Sequence, residues 1–253
     1  FMVVLLCCQL VTQAQSNTGN NFFKDNYEEL SFHIPMRDGI KLFTIVYVPK
    51  DKTKTYPFLL NRTPYNASNY ANFRGGNYPS KYLIESGYML VYQDVRGRYK
   101  SEGLYNNMTP NIPGNNPKNK KDIDESSDTW DTIDWLVKNV KGNNGRAGIY
   151  GVSYPGFYSA AALPDAHPAL RAVSPQAPIA DFFFDDFHHN GVYLQSYTGA
   201  FAVFGYQKKD TTSKNWFDEE LGRFFKINAK DGYQYHLAQG PLKTFTEGIH
   251  HDN

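Results

Sequence analysis

The chain has 253 residues, 41% of them hydrophobic, with 19 tyrosines and 18 phenylalanines. That content suffices for a substantial core, in one large domain or in one domain and part of another. The net charge of +1 gives no electrostatic reason to expect nucleic acid or an anionic membrane as a partner.

The opening stretch FMVVLLCCQLVTQAQS is apolar but too short to span a bilayer. It reads as a signal-peptide h-region over residues 1–14, with its basic start missing and small residues leading to a cut after Ala14. A disordered or buried N-terminal strand is the alternative. A lipobox through Cys7 or Cys8 fits less well, because bulky Leu6 precedes Cys7. Both cysteines fall in this segment, so the mature chain is expected to have no disulfide and no thiolate metal site. The expected location is secreted or periplasmic, with no membrane association after cleavage. Asn-x-Ser/Thr sequons begin at Asn61, Asn66 and Asn107. In so Asn-rich a chain they read as chance matches unless the host is eukaryotic.

Strands come first. LFTIVYVP (42–49) and PFLLNRTPY (57–65) are β-rich runs bounded by turn residues, and GYMLVYQDVRG (87–97) is a buried-type run that feeds a loop. Residues 103–122 read as loop, rich in Asn, Pro, Gly and solvated Lys. DESSDTWDTIDWLVKN then reads as a helix, with Ser and Asp at its start and Trp130, Ile133, Leu136 and Val137 on its apolar face. GNNGRAG supplies the C-cap and turn. A short strand, AGIYG, follows, then a turn through Ser153, a small-residue helix ending near Pro164, and a strand in RAVSPQAP. This order predicts a mostly parallel α/β sheet, at least in its second half. Near residue 180 the pattern becomes aromatic and helix-like, which places a boundary between an α/β domain over 31–180 and a cap segment over 181–253. No internal repeat is visible.

Ser153 lies in GIYGVSYPG. The usual nucleophile elbow is G-x-S-x-G, flanked by a strand and a helix. Here Pro155 takes the second glycine's place and Gly156 follows one residue late. The three-residue pattern alone is weak, with roughly 0.1 chance matches in a chain this long. The predicted strand before it and helix after it strengthen it. Pro155 suits a first helical turn, where no N–H is required. Tight packing at the turn explains the glycines. The helix N-terminus favours a developing oxyanion, and the Tyr154 N–H is the natural first donor. The alternative is a Gly/Ser turn serving packing only.

Several ordered motifs together resemble the X-Pro dipeptidyl-peptidase-like serine hydrolases, the group that includes cocaine esterase and the α-amino-acid ester hydrolases. They are IPMRDGIKL (34–42), NRTPYN (61–66), DVRGRYKSEG (94–103), DTIDWLVKN (131–139), GIYGVSYPG (148–156), PDAHPALRAVSPQAP (164–178) and DFFFDDFHHNG (181–191). The resemblance covers about residues 31–195, and Gly-x-Ser-Tyr-x-Gly is that group's own form of the elbow. The α-amino-acid ester hydrolase branch looks closest, through DDFHHNG. The resemblance implies an α/β-hydrolase fold with a helical cap and a C-terminal jelly roll. It implies Ser153 as nucleophile, with the Tyr154 backbone N–H and the Tyr65 hydroxyl as oxyanion donors. It also implies a carboxylate for a substrate α-ammonium, at Asp186 or Asp185; the spacing leaves both open, and a helix-end acid or cap salt bridge is the bland alternative. Asp94, Arg96 and Glu102 are expected to form ion pairs behind the site.

A serine needs a base. His167 reads as a turn or packing residue, and His188, His189 and His236 fall in the cap segment. His250 and His251 resemble a cap stretch rather than the catalytic loop. The catalytic Asp and His are therefore expected beyond Asn253, in a longer protein of which this chain is an N-terminal part. A metal at DDFHH is disfavoured, because adjacent helical histidines diverge by about 100°. No Walker loop, dinucleotide fingerprint or Cys-x-x-Cys motif is present, so no cofactor is expected. The expected partner is a small ester or amide, acted on as α-amino acyl, X-Pro or general acyl substrate, and the group's habit of assembly implies a homo-oligomer. A non-catalytic binding protein on the same fold is the competing function.

Overall fold

The computed structural model describes residues 25–68, 85–114, 119–181, 184–185, 188–190, 192–194 and 230–240. The signal-like segment 1–14, both cysteines, Asp186, His250, His251 and most of the cap segment lie outside them.

Strands β1 (Tyr27–Pro35) and β2 (Lys41–Pro49) form an antiparallel hairpin. Its turn contains Gly39 at φ +92°, a left-handed conformation that favours glycine. β1 is absent from the sequence-based expectation. It is an edge strand with Glu29, Ser31 and His33 on its exposed face and Leu30, Phe32 and Ile34 on its core face, so it shows alternation rather than an apolar run. Beside it, β2 and β4 (Met89–Asp94) are buried on both faces. β3 (Tyr56–Thr63), β5 (Asn143–Val152) and β6 (Leu170–Gln176) complete a six-stranded sheet in the order β1-β2-β4-β3-β5-β6. The pairs β4–β3, β3–β5 and β5–β6 are parallel, as the second half of the chain predicts.

Helix α1 (Glu125–Asn139) starts on a capping box: the Asp124 carboxylate accepts from the Ser127 N–H, and the Ser127 hydroxyl accepts from the Asp124 N–H. Its buried face runs through Thr129, Thr132, Ile133 and Leu136, while Trp130 and Val137 are half-buried at the flank. The first turn is buried although polar, and Glu125 and Asp128 there suit the positive end of the helix dipole. GNNGRAG is mostly strand: β5 begins at Asn143, and the glycine that follows the C-cap Val140 is Gly142, at φ +84°. Helix α2 (Tyr154–Ala161) has Pro155 in its first turn.

Two cores flank the sheet. One joins Phe58, Leu60, Met89 and Ile149 to Ile133 and Leu136 of α1. The other is largely aromatic, with Tyr27, Phe43, Tyr47 and Tyr92. In the cap segment, β7 (His188–His189) and β8 (Val192–Tyr193) pair antiparallel, and α3 spans Gly232–Gln239. The helix-like reading of 181–206 is therefore corrected at 188–193. Asn190, at φ +52°, turns a short hairpin there, and Asn tolerates this conformation better than most residues.

Candidate active site

The chain leaves β3 to join β4 on one side of the sheet, and it leaves β5 to join β6 on the other. In open α/β sheets the crevice at such a reversal, outside the carboxyl ends of the strands, is the natural ligand position. Tyr65 follows the carboxyl end of β3, and Ser153 follows that of β5.

Ser153 has φ 61° and ψ −124°. A non-glycine residue held there costs about 1–3 kcal/mol and persists only where its surroundings enforce it. The Ser153 N–H donates to the Gln176 carbonyl (2.9 Å) and its carbonyl accepts from the Phe157 N–H (3.0 Å). The flanking glycines permit the approach. A Cβ on Gly151 would stand 2.2 Å from the Pro155 carbonyl, and one on Gly156 2.5 Å from the Gln176 carbonyl oxygen. The Ser153 side chain is exposed and makes no capping hydrogen bond, so its hydroxyl is presented at the N-terminus of α2.

Tyr154, the first residue of α2, buries its ring completely. Its hydroxyl donates to Asn107 Oδ1 (2.8 Å) and accepts from the Met108 N–H (3.1 Å). The Tyr105 hydroxyl lies 2.9 Å from it and 2.8 Å from the same Asn107 oxygen. Burial pushes the Tyr154 phenol up to about 12, so it remains a neutral donor. The Tyr65 ring stands edge-on to Tyr154, centroids 6.3 Å apart, which brings the two proposed oxyanion residues together. Tyr105 and Asn107 sit in a stretch that reads as plain loop, where Asn107 shows only a sequon and neither residue signals a contact with Tyr154. Their partner lies 47 or more residues away, and nothing local announces it. A cavity of about 550 Å³ begins one turn along α2, between Phe157, Ala160, Met108, Pro110, Pro178 and Ile179.

Behind the elbow, Arg62 is fully buried. It donates to Gln93 Oε1, Glu125 Oε2 and Thr129 Oγ1 at 2.9–3.0 Å and lies 5.6 Å from the Tyr158 ring centroid. Burial, opposed by Arg62, raises Glu125 to about 7. Arg96 pairs with Asp128 and Asp38 at 2.7 Å. Among the described residues, Asp94 accepts from the Ala67 and Lys100 N–H groups and feels the charges of Lys100 and Arg98, and Glu102 accepts from the Lys41 N–H. Burial raises Asp94 to about 7. Asn61, the first sequon position, is buried and donates to the Tyr150 carbonyl.

Asp185 Oδ2 accepts from the Ala180 and Asp181 N–H groups (3.0 and 3.2 Å), and these bonds hold its pKa below the usual carboxylate value. Asp186 lies outside the described residues. His167 packs against Trp130 (4.7 Å) and accepts from the Ala169 N–H at Nδ1, a packing role in keeping with its sequence context. Burial lowers its pKa, opposed by Asp134. Among the described residues, no group of three or more His, Cys, Asp or Glu stands where it could hold a metal ion.

A largely parallel sheet with an exposed serine on a strained strand-to-helix turn defines the α/β-hydrolase class. The profile of the X-Pro dipeptidyl-peptidase (S15) family matches residues 38–252, and the chain belongs to that family. Cocaine esterase of Rhodococcus sp. (strain MB1 Bresler) is 30% identical over 152 residues, covering 59% of this chain and 23% of the esterase. An aminopeptidase from the marine sediment archaeon Thaumarchaeota archaeon superposes with a TM-score of 0.68 at 34% identity, over 88% of this chain and 36% of its own. An α-amino acid ester hydrolase superposes with a TM-score of 0.67 at 34% identity, over 88% and 35%. The chain thus spans about a quarter to a third of the length of these relatives. Its family is one of hydrolases and esterases.

Proposed function

We propose that the protein is a serine hydrolase that cleaves acyl esters or amides, with α-amino acyl groups favoured, through an acyl-enzyme on Ser153. Ser153 Oγ attacks the acyl carbonyl and its proton passes to a histidine base outside the described residues. The tetrahedral oxyanion accepts from the Tyr154 N–H and the Tyr65 hydroxyl. Its collapse expels the alcohol or amine, which takes up that proton, and water then releases the acid by the same steps in reverse order. The observation that carries this reading is the exposed Ser153, held at φ 61° at the sheet's reversal point, next to Tyr154, whose ring meets that of Tyr65.

Two relatives similar over 88% of this chain are named for action on α-amino acyl groups, an aminopeptidase and an α-amino acid ester hydrolase. Asp186 is proposed to bind the ammonium, since the neighbouring Asp185 is committed to two backbone N–H groups. The apolar start of the chain supports secretion or export to the periplasm. The test is turnover, by the full-length protein, of an α-amino acyl ester and its deaminated analogue. Ser153→Ala should abolish both reactions. Asp186→Asn should raise KM for the amino ester alone; equal effects on both esters would remove the ammonium role.

A further inference from the structure

We propose that the end of β4 and the segment that follows it position the Tyr65 hydroxyl, with Asp94 and Arg98 as the positioning residues. This rests on the reading of Tyr65 as an oxyanion donor.

The turn that carries Tyr65 is tied at almost every residue, and most of the ties come from residues 94–100. The Thr63 carbonyl accepts from the Val95 N–H (3.1 Å). The Pro64 carbonyl accepts from Arg98 Nε (2.9 Å). The Ala67 N–H donates to Asp94 Oδ1 (2.6 Å), and Lys100 Nζ donates to Ser68 Oγ (3.2 Å). Tyr65 itself is fixed by its N–H to Thr63 Oγ1 (3.0 Å). The chain reverses immediately after it, at Asn66, φ 74°. Asp94 and Arg98 are both fully buried.

Burying a carboxylate and a guanidinium is costly, and apolar residues of similar size would serve stability at least as well. What charged groups add is orientation, because their hydrogen bonds to backbone groups are short and directional. Here they grip the turn one residue before Tyr65 and two residues after it. The phenol is a long lever, so a rotation of the turn by ~10° moves its hydroxyl by ~1 Å, enough to cost about 10²-fold in rate. Arg98 also lies over the Tyr105 ring, 4.5 Å from its centroid. The same arginine therefore touches the loop that anchors Tyr154, and both oxyanion donors are referred to one rigid segment.

The experiment is a double-mutant cycle on kcat for ester hydrolysis by the full-length protein. Tyr65→Phe should lower kcat by about 10²–10³. Asp94→Asn is isosteric but sets an amide NH2 against the Lys100 N–H. It should lower kcat by roughly tenfold with KM little changed, and it should add nothing in the Tyr65→Phe background. Arg98→Lys, which keeps a donor for the Pro64 carbonyl, should retain more activity than Arg98→Met. If Asp94→Asn does not fold, Thr63→Val carries the test. It removes only the acceptor for the Tyr65 N–H and should show the same non-additivity. Losses that add fully to that of Tyr65→Phe, or no loss at all, would overturn the positioning role while the oxyanion role stands. An unchanged kcat for Tyr65→Phe would overturn both.

Discussion

Ser153 and Tyr154 divide two tasks between adjacent residues. Ser153 carries the hydroxyl proposed as nucleophile on a strained backbone, and Tyr154 anchors that backbone from below. Its phenol meets Asn107 and Met108, and its ring stacks on Tyr158 with centroids 5.0 Å apart. The proposed catalytic contribution of Tyr154 is its main-chain N–H, which no side-chain change removes. Tyr154→Phe should therefore lower stability by about 1–3 kcal/mol, because the Met108 N–H loses its acceptor. Folded variant should still react with a fluorophosphonate at Ser153. Urea denaturation and mass-spectrometric labelling together check the split; full stability with lost labelling would assign the phenol itself to catalysis.

At the scale of elements, the junction of β5 and α2 is where sequence and packing meet most closely. Gly148, Gly151 and Gly156 are spaced along it, but they are not equivalent. At Gly148 an added Cβ meets nothing nearer than 3.6 Å, whereas at Gly151 it would strike the Pro155 carbonyl at 2.2 Å. Gly148→Ala should be nearly neutral in thermal denaturation. Gly151→Ala should cost the ~1–3 kcal/mol of an overpacked core or more and abolish fluorophosphonate labelling, because the turn can accommodate the methyl only by opening. Equal behaviour of the two variants would contradict the close approach. The polar first turn of α1 is a second junction. Glu125 and Asp128 meet arginines from β3 and from the loop after β4, so the helix start is fastened to the sheet by charge as well as by Ile133 and Leu136.

For the molecule as a whole, the buried acids set a pH dependence of unusual sign. Burial raises Asp94 and Glu125 to about 7 in the folded protein. Unfolded, both release their protons near pH 4. Between about pH 4 and pH 7 the native state thus binds more protons than the unfolded state, and stability falls as pH rises through this window. His167, whose pKa burial lowers, contributes the opposite slope at and below pH 6.5. The clean readout is the difference between wild type and Glu125→Gln, which keeps an acceptor for Arg62. In urea denaturation the variant should gain on the wild type as pH rises from 5 to 7. A constant difference would mean that Glu125 is ionised throughout.

Much of the fold is legible in the sequence. β2, β3 and β4 announce themselves as β-branched and apolar runs, α1 by its period and cap residues, and the elbow by Gly151, Ser153, Pro155 and Gly156. These signals are local, because each reports how a residue's own backbone and near neighbours must behave. β1 was missed because an edge strand needs only one buried face, and the hairpin at 188–193 because it is too short to carry a period. Tertiary structure alone decided which distant groups meet. It sets the Tyr65 ring against Tyr154, makes Asp94 an acceptor for the Ala67 N–H, and brings Asn107 to the Tyr154 hydroxyl. Such contacts join residues 27 to 89 positions apart, and their geometry follows from strand order and from the reversal between β3 and β5. No local propensity encodes that.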